Sequence, residues 1–235
     1  MRTDPTPPLL GSIKRALGQT LPGEKAQSRM APDPLAASQA KRTVPARESA
    51  VLLLLYPTPK GLGILLTERS QHVGHHKGQV SLPGGQKELG DETLWHTALR
   101  ESWEETGVET QAVEHLGALS PMYIAGSHFC VQPFVGSTAL RGAWRPHPPE
   151  VAALLEMPLE RLVDDGIKRT VQWPWPQGAR RVPYYALDGR MIWGATAMIL
   201  SEFEVLLRGI ISDRGARGRN PSQAPAYRRS ETERE

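Results

Sequence analysis

One nine-residue run, R-E-S-W-E-E-T-G-V at positions 100–108, constrains the fold of this chain more than any other feature. On a helix at about 100° per residue, Glu101, Glu104 and Glu105 share one face. Like charges three and four residues apart destabilise a helix, so these carboxylates require an external cation. Oxygen ligands of this kind suit Mg²⁺ or Mn²⁺, which in turn suit phosphate chemistry. The run therefore predicts a helix that is held by a folded core and carries a divalent metal site.

The segment around this run predicts how the helix is held. Its other face carries residues that can pack on a sheet, namely Trp95, Ala98, Leu99, Trp103 and Thr106. The helix is expected over residues 92–106, with Asp91 as N-cap and Gly107 as C-cap. A Pro-Gly-Gly turn at 83–85 precedes it. Because glycine has no Cβ, a backbone carbonyl of this turn can approach a metal ion closely.

Apolar runs elsewhere in the chain predict a mixed succession of strands and helices. The continuous Val-Leu run at 49–56 indicates a strand that is buried on both faces. Further strands are expected near 62–68, 79–82, 113–120, 129–136, 167–173 and 182–187, with a short helix or turn at 149–163 and a last helix at 194–209. This order predicts an α/β layer architecture.

The two ends of the chain differ in composition from its middle. The whole chain has a net charge of +3, but residues 48–212 hold 14 Lys and Arg against 18 Asp and Glu. This mildly acidic middle argues against a nucleic-acid-binding domain. Residues 1–47 are rich in Pro, Ala and Ser, which predicts a disordered or weakly helical extension with one short helix at 9–21. A folded domain is expected at 48–212 and a disordered tail at 213–235.

Two observations bear on the compartment. The longest apolar stretch, at 50–56, is too short to cross a bilayer, and no apolar segment of a secretory signal follows the first charges. The single Cys130 excludes an internal disulfide. A reducing, cytoplasmic setting without a membrane partner is therefore favoured. The sequence leaves open whether the chain forms a homodimer.

The 100–108 run resembles the second half of the Nudix box, G-x5-E-x7-R-E-U-x-E-E-x-G-U, where U is a bulky aliphatic residue. Gly85 matches the opening glycine, one extra residue separates it from Arg100, and Ser102 stands at an aliphatic position. The segments L-L-T-E-R-S at 65–70 and G-Q-V-S-L-P-G-G at 78–85 resemble the LLTxRSxxxRxxxGxxxFPGG signature of the coenzyme A pyrophosphatase branch, with Gly74 and Leu82 as departures. E-V at 150–151, M-P-L at 157–159 and I-W-G-A-T-A at 192–197 are also similar to that branch. The resemblance implies an α/β/α sandwich with a mixed β-sheet between helices.

The resemblance also implies a metal site. Glu101 and Glu105 would be the best ligands, Glu104 a third or water-mediated one, and the backbone of Gly85 would approach the ion. Arg100 would orient the box carboxylates through an ion pair, as a planar guanidinium can. Glu101, Glu104 and Arg100 are accordingly the expected catalytic residues of the box.

Acids outside that group have alternative interpretations. The extra residue places the first Glu of the box at Asp91 when counted from Gly85, or at Glu92 when counted from Arg100. Because Asp91 suits an N-cap, Glu92 is the functional candidate. Glu150 is either the general base or an acid at a helix N-terminus, where the helix dipole favours it.

The substrate is expected to contact a cationic loop after the strand at 62–68. Arg69 matches the signature, His72 and Lys77 lie in the same loop, and Gly84 completes the predicted phosphate site. Coenzyme A carries a 3′-phosphate and a pyrophosphate that such residues could bind. The loop histidines have neither the spacing nor the Cys partner of a zinc site. The indoles of Trp173, Trp175 and Trp193 are expected to serve packing rather than stacking on a base.

With the metal-site pattern, the resemblance implies an Mg²⁺- or Mn²⁺-dependent Nudix pyrophosphohydrolase that cleaves coenzyme A or a derivative to 3′,5′-ADP and 4′-phosphopantetheine. The metal would polarise the pyrophosphate and lower the pKa of a bound water, whose proton a carboxylate would take. One alternative is another nucleoside diphosphate derivative, such as ADP-ribose or NADH. A nucleotide-binding regulator on the same scaffold is a further alternative, although such a protein would be expected to lose the box carboxylates.

Overall fold

The computed structural model describes residues 6–32, 45–71, 78–174 and 178–217. Within these residues, an eight-stranded sheet and a three-stranded sheet lie among helices. The strands are β1 (Arg47–Thr58), β2 (Gly61–Arg69), β3 (Val80–Ser81), β4 (Gly84–Gln86), β5 (Glu114–Ala118), β6 (Met122–Ile124), β7 (Phe129–Ser137), β8 (Val151–Pro158), β9 (Lys168–Trp173), β10 (Arg180–Leu187) and β11 (Arg190–Trp193). The α-helices are α1 (Thr6–Leu17), α2 (Glu24–Gln27), α3 (Leu94–Thr106), α4 (Leu159–Leu162) and α5 (Gly194–Arg217).

The Val-Leu run forms the centre of the larger sheet, whose order is β3-β2-β1-β7-β5. Strand β1 pairs antiparallel with β2 and β4 and parallel with β7, so the sheet is mixed. Residues 52–56 of β1 are fully buried. This confirms the prediction of a strand that is covered on both faces.

Alternate residues of β1 face two different layers, because side chains alternate along a strand. Leu52 belongs to the apolar cluster that includes Ala98 of α3. Leu53 belongs to the opposite cluster, which includes Phe203 of α5 and Tyr185 of the three-stranded sheet. The architecture is therefore the predicted α/β/α sandwich, with the three-stranded sheet added to the α5 layer.

Residues 6–32 belong to this core, although residues 1–47 were predicted to be a disordered or weakly helical extension. Ile13 of α1 is fully buried, and Leu17 and Met30 are nearly so. A buried carboxylate on α5, Glu202, accepts a hydrogen bond from the backbone N–H of Gly23 at 3.0 Å. A few well-placed apolar side chains thus hold the segment, although its mean composition is polar.

Helix α3 confirms one predicted cap and corrects the other. Gly107 has a left-handed φ of +70° and donates its N–H to the Trp103 carbonyl at 2.8 Å, as a C-cap does. The N-cap is Thr93, whose hydroxyl accepts from the backbone of His96 at 3.3 Å, because Asp91 is bonded elsewhere. The prediction that Trp103 packs on the sheet is also wrong, since it is 58% exposed. Ser102 faces inward instead.

Two further boundaries differ from those predicted. Residues 151–158 form strand β8, which pairs antiparallel with β2, instead of the short helix or turn expected at 149–163. Only the four residues of α4 after Pro158 are helical there. Helix α5 continues to Arg217, so the tail predicted from 213 begins inside a helix. No helix in the described ranges is long and apolar enough to cross a membrane.

Candidate active site

Two glycines allow the acidic helix α3 to approach the central strand. In the pairing of β4 with β1, Gly84 lies opposite Val51 and Gly85 opposite Ala50. Gly84 has a φ of +152°, and a Cβ atom there would lie 2.3 Å from the Ala50 carbonyl oxygen. A Cβ atom on Gly85 would lie 2.4 Å from the carboxyl carbon of Glu101. Any side chain on Gly85 would therefore displace the Glu101 carboxylate.

Glu105 is the most deeply buried acid of the box, with 3% of its surface exposed. Its Oε2 accepts a hydrogen bond from the backbone N–H of Gly84 at 3.2 Å, and its Oε1 lies 3.9 Å from Nη1 of Arg69. Burial raises the pKa of Glu105 to about 8 in spite of these two contacts. Such a poorly solvated carboxylate binds either a proton or a cation.

Arg100 links the acids of α3 to the turn before the helix. Its Nη1 donates to Glu101 and to Glu104, both at 3.0 Å. Its Nε and Nη2 donate to the two carboxylate oxygens of Asp91, also at 3.0 Å. These bonds hold the pKa of Asp91 at about 2. The predicted ion pair between Arg100 and the box carboxylates is thus present, and its functional role stays a prediction.

The interpretation of Asp91 as the N-cap of α3 is wrong, because Thr93 is the N-cap. The Oδ2 atom of Asp91 also accepts from the Thr97 hydroxyl at 3.0 Å and from the Glu88 backbone at 2.9 Å. The count from Gly85 had pointed to this position, whereas the N-cap argument pointed away from it. Glu92, the functional candidate of the sequence, is instead exposed, with its carboxylate 3.8 Å from Nδ1 of His96.

The arrangement fits a divalent cation. The Glu101 side chain is 15% exposed, and burial raises its pKa, although Arg100 acts in the opposite direction. No three acidic, imidazole or thiol side chains of the described residues converge into a preformed metal cage. Mg²⁺ does not need one, because it keeps several waters and uses one or two carboxylates together with substrate phosphates. Glu101 and Glu105, beside the Gly84–Gly85 backbone, are the two carboxylates that would hold such an ion, while Glu104 is more exposed.

Two residues from other elements belong to the same region as Glu101, Glu104 and Glu105, which together form the acidic edge of α3. Arg69 ends β2, and its Nε is buried without a hydrogen-bond partner in the described part of the chain. Glu150 precedes β8, and its carbonyl accepts from Ser70 at 2.7 Å. The Glu150 carboxylate adds to the rise in the pKa of both Glu101 and Glu105. Its interpretation as an acid at a helix N-terminus is wrong, because a strand follows it.

The other predicted substrate contacts are His72, Lys77 and Gly84. His72 and Lys77, with His75 and His76 between them, lie outside the described residues. Gly84 is placed at the turn, where its N–H already serves Glu105. Of the predicted phosphate contacts, Arg69 and Gly84 are therefore the two that the structure brings to Glu105.

Comparison with protein-family models shows which family this chain belongs to. The NUDIX domain model matches residues 46–177, which contain every element of the site described above. The chain belongs to the Nudix hydrolase family. Its members are enzymes that act on pyrophosphate bonds and generally use divalent cations.

Similar proteins agree with this membership. The uncharacterized Nudix hydrolase NudL of Salmonella dublin is 36% identical over 162 residues, which are 68% of this chain and 83% of that protein. Its counterpart in Salmonella paratyphi B is 37% identical over 161 residues, 68% of this chain and 82% of that protein.

Among solved structures, the Nudix hydrolase RenU of M. smegmatis aligns with a TM-score of 0.47 and 17% identity, covering 72% of this chain and 87% of that one. A C. elegans Ap4A hydrolase aligns with a TM-score of 0.45 and 14% identity, covering 72% and 98%.

Proposed function

We propose that this Nudix hydrolase cleaves the pyrophosphate of coenzyme A or its derivatives with Mg²⁺ or Mn²⁺. Water and coenzyme A would give 3′,5′-ADP and 4′-phosphopantetheine, with one P–O bond of the pyrophosphate bridge broken. The observation that carries the cleavage of a pyrophosphate at this site is the position of Arg69, whereas the choice of coenzyme A rests on the resemblance of residues 65–85 to the signature. This cation of the upstream signature lies 3.9 Å from Glu105, and its Nε is buried without a partner in the described residues.

The residues of the acidic edge divide the work. Glu101 and Glu105 would hold the cation, with Glu104 and the Gly85 backbone beside them. A bound divalent cation would neutralise phosphate charge and lower the pKa of a water molecule. Arg100 fixes the Glu101 and Glu104 carboxylates, which restricts their rotation before substrate arrives.

The proton of the attacking water needs an acceptor outside the ion pairs of Arg100. We assign this task to Glu150, whose carboxylate would take the proton while water attacks phosphorus. Two features support the choice: its charge acts on Glu101 and Glu105, and its carbonyl is bonded to Ser70, the residue after Arg69. The base and the phosphate-binding cation are therefore connected through one backbone hydrogen bond.

Arg69 would bind the pyrophosphate rather than the distant 3′-phosphate, which revises its expected role. A guanidinium 3.9 Å from Glu105 would contact the phosphates bound to a cation that Glu105 holds. Arginine presents several N–H donors in one plane, so it can hold a phosphate while one side faces Glu105. The signature would then position the scissile bond, and the 3′-phosphate would need another partner.

The alternative substrates are ADP-ribose and NADH, which also contain an adenosine diphosphate. A regulator without catalysis is disfavoured, because Glu101, Glu104 and Glu105 are all retained at the predicted site. The box and the site geometry suit any of these pyrophosphates, so the choice of coenzyme A depends on the resemblance at 65–85.

Product analysis of the purified chain tests the proposal. The protein is incubated with Mg²⁺ and, separately, coenzyme A, dephospho-coenzyme A, ADP-ribose and NADH, and products are identified by mass spectrometry. Equal amounts of 3′,5′-ADP and 4′-phosphopantetheine are expected, with Glu105→Gln as the inactive control. Faster hydrolysis of ADP-ribose or NADH than of coenzyme A would replace the proposed substrate with that alternative.

A further inference from the structure

The three-stranded sheet carries an aromatic pair that the proposed chemistry leaves unused. Trp173 on β9 and Trp193 on β11 stack with ring centroids 5.5 Å apart and an interplanar angle of 24°. Trp173 is 37% exposed, so part of its ring system is open to solvent. Trp193 belongs to the I-W-G-A-T-A segment at the start of α5.

Strand register places both indoles on one face of the sheet. Trp173 lies opposite Arg180 on β10, and Trp193 lies opposite Tyr184 on the same strand. Directly opposed residues in an antiparallel pair share a face. Val182 lies between these two positions on that face and is fully buried. The inner side of the pair therefore packs over Val182, and the outer side of Trp173 faces solvent.

The same face carries positive charge beside the rings. Arg169 on β9 lies opposite Tyr184, so Arg169, Tyr184 and Trp193 form one row across three neighbouring strands. Neighbouring strands are about 4.8 Å apart, which spreads this row over roughly the width of a nucleotide. Arg169 is exposed, and Tyr184 is half-buried. A flat aromatic surface beside a guanidinium is complementary to a base with its attached phosphate.

This sheet is joined to the strand end that carries the active site. Arg190 of β11 donates to Glu68 of β2 at 2.8 Å. Glu68 directly precedes Arg69, which lies 3.9 Å from Glu105. Arg190 lies opposite Leu187, on the other face of the sheet from Trp193, so this ion pair joins β11 itself, and not the aromatic pair, to the end of β2 that carries Arg69.

We propose that Trp173 and Trp193 form the nucleobase subsite of this enzyme, with the adenine of the substrate stacked on the outer face of Trp173. Arg169 would contact the ribose 3′-phosphate, for which Arg69 is too close to the catalytic centre. The inference rests on the proposed function, because the adenine belongs to the substrate whose pyrophosphate is cleaved at α3. It adds a binding surface that the box residues do not provide.

Calorimetric titration of the full chain with 3′,5′-ADP tests the subsite. Trp173→Ala is expected to weaken binding about tenfold, whereas Trp173→Phe keeps a ring and most of the affinity. Trp103→Ala is the matched control, because that exposed indole lies on α3 and should leave the affinity unchanged. Arg169→Ala should weaken 3′,5′-ADP and leave AMP unchanged. In turnover, Trp173→Ala should raise KM for coenzyme A about tenfold with kcat nearly constant.

Unchanged affinity of Trp173→Ala for both 3′,5′-ADP and AMP would overturn the subsite and leave the pair a packing role over Val182. If that variant does not fold, wild-type fluorescence decides the question. Added 3′,5′-ADP should quench it, and Trp173→Phe should remove most of the quenching; equal quenching in both proteins contradicts the proposal. Failure of the proposed substrate is separable, because an enzyme that hydrolyses ADP-ribose instead would still bind AMP more weakly after Trp173→Ala.

Discussion

Buried carboxylates occur in two regions of this molecule, and their surroundings differ in kind. On α5, Glu204 accepts hydrogen bonds from Lys168 and Arg208 at 2.6 Å and from the Tyr185 hydroxyl at 2.9 Å. Burial alone would raise its pKa, but these donors hold the pKa of Glu204 below its ordinary value. Glu105 on α3 has one amide at 3.2 Å and one guanidinium at 3.9 Å, and its pKa is raised to about 8.

The two carboxylates thus differ in how fully the protein supplies their hydrogen-bond donors: Glu204 has its donors within the fold, and Glu105 does not. Glu204 and its neighbour Glu202 receive their donors from the chain itself, so they connect distant segments. Glu105 is similarly buried, but its partners are weak. Its ionised carboxylate is therefore stabilised only when another positive group binds beside it. Incomplete satisfaction of this buried acid supports the proposed role of Glu105 as a metal ligand.

The largest expected effect is on folding, and it comes from removing the N-terminal residues that supply donors to the buried carboxylate Glu202 on α5. Deletion of residues 1–32 removes the buried side chains of Ile13, Leu17 and Met30 and the donors to Glu202. Each apolar side chain contributes about 1.5–3 kcal/mol, so the total approaches the whole stability of a domain. The truncated protein should be insoluble or unfolded by circular dichroism. Deletion of 218–235 is the control and should leave Tm unchanged; a soluble, active 33–235 protein would contradict the role of the segment.

The next effect is on catalysis. Glu105→Gln replaces a metal-binding carboxylate by a neutral amide, which should lower kcat about 100- to 1000-fold at saturating Mg²⁺. Its Tm without metal should not fall, because burial raises the pKa of Glu105 to about 8 and favours a neutral form, which the amide resembles. Glu204→Gln is the matched control: it should lower Tm by weakening the bonds from Lys168 and Arg208 and retain kcat. Loss of activity in the control together with normal turnover of Glu105→Gln would reverse the comparison.

The sequence predicted features that depend on local interactions and missed features that depend on residues distant in the chain. The burial of β1 and the C-cap at Gly107 depend on neighbouring residues, and both predictions are confirmed. Strand β8 was missed because residues 151–158 become a strand by pairing with β2, about 90 residues away in the sequence. The packing of residues 6–32 was missed for a similar reason, since the partners of Glu202 at Gly23 and Gln27 are 175 or more positions distant.

The site shows the same limit. The shared face of Glu101, Glu104 and Glu105 follows from helical spacing, and their contacts with Arg100 are local enough to anticipate. The approach of Arg69 to Glu105 depends on how β2 and α3 pack, which no spacing specifies. The first Glu of the box could be counted to Asp91 or to Glu92, and in the structure Asp91 is the one that pairs with Arg100.

Asp91 provides a smaller effect, on stability at acid pH. Its pKa of about 2 lies below the ordinary 3.8. The carboxylate therefore stabilises the fold fully above about pH 4, and this contribution is lost as the pH falls towards 2. We expect a contribution of about 1–2 kcal/mol at neutral pH. Urea unfolding of wild type and Asp91→Asn between pH 7 and pH 2 should show a difference that shrinks below pH 4; a difference that is constant with pH would exclude this account.

Arg69, whose guanidinium lies 3.9 Å from the incompletely satisfied Glu105, gives the smallest and most specific effect. If it binds the pyrophosphate, Arg69→Ala should lower kcat/KM for coenzyme A about tenfold, the usual value of one charge-assisted hydrogen bond. Dephospho-coenzyme A has the same pyrophosphate and no 3′-phosphate, so it should lose the same factor. Arg69→Lys keeps the charge without the planar fork and should recover only part of the rate. A loss confined to coenzyme A would instead assign Arg69 to the 3′-phosphate and remove the argument that places this phosphate beside Arg169.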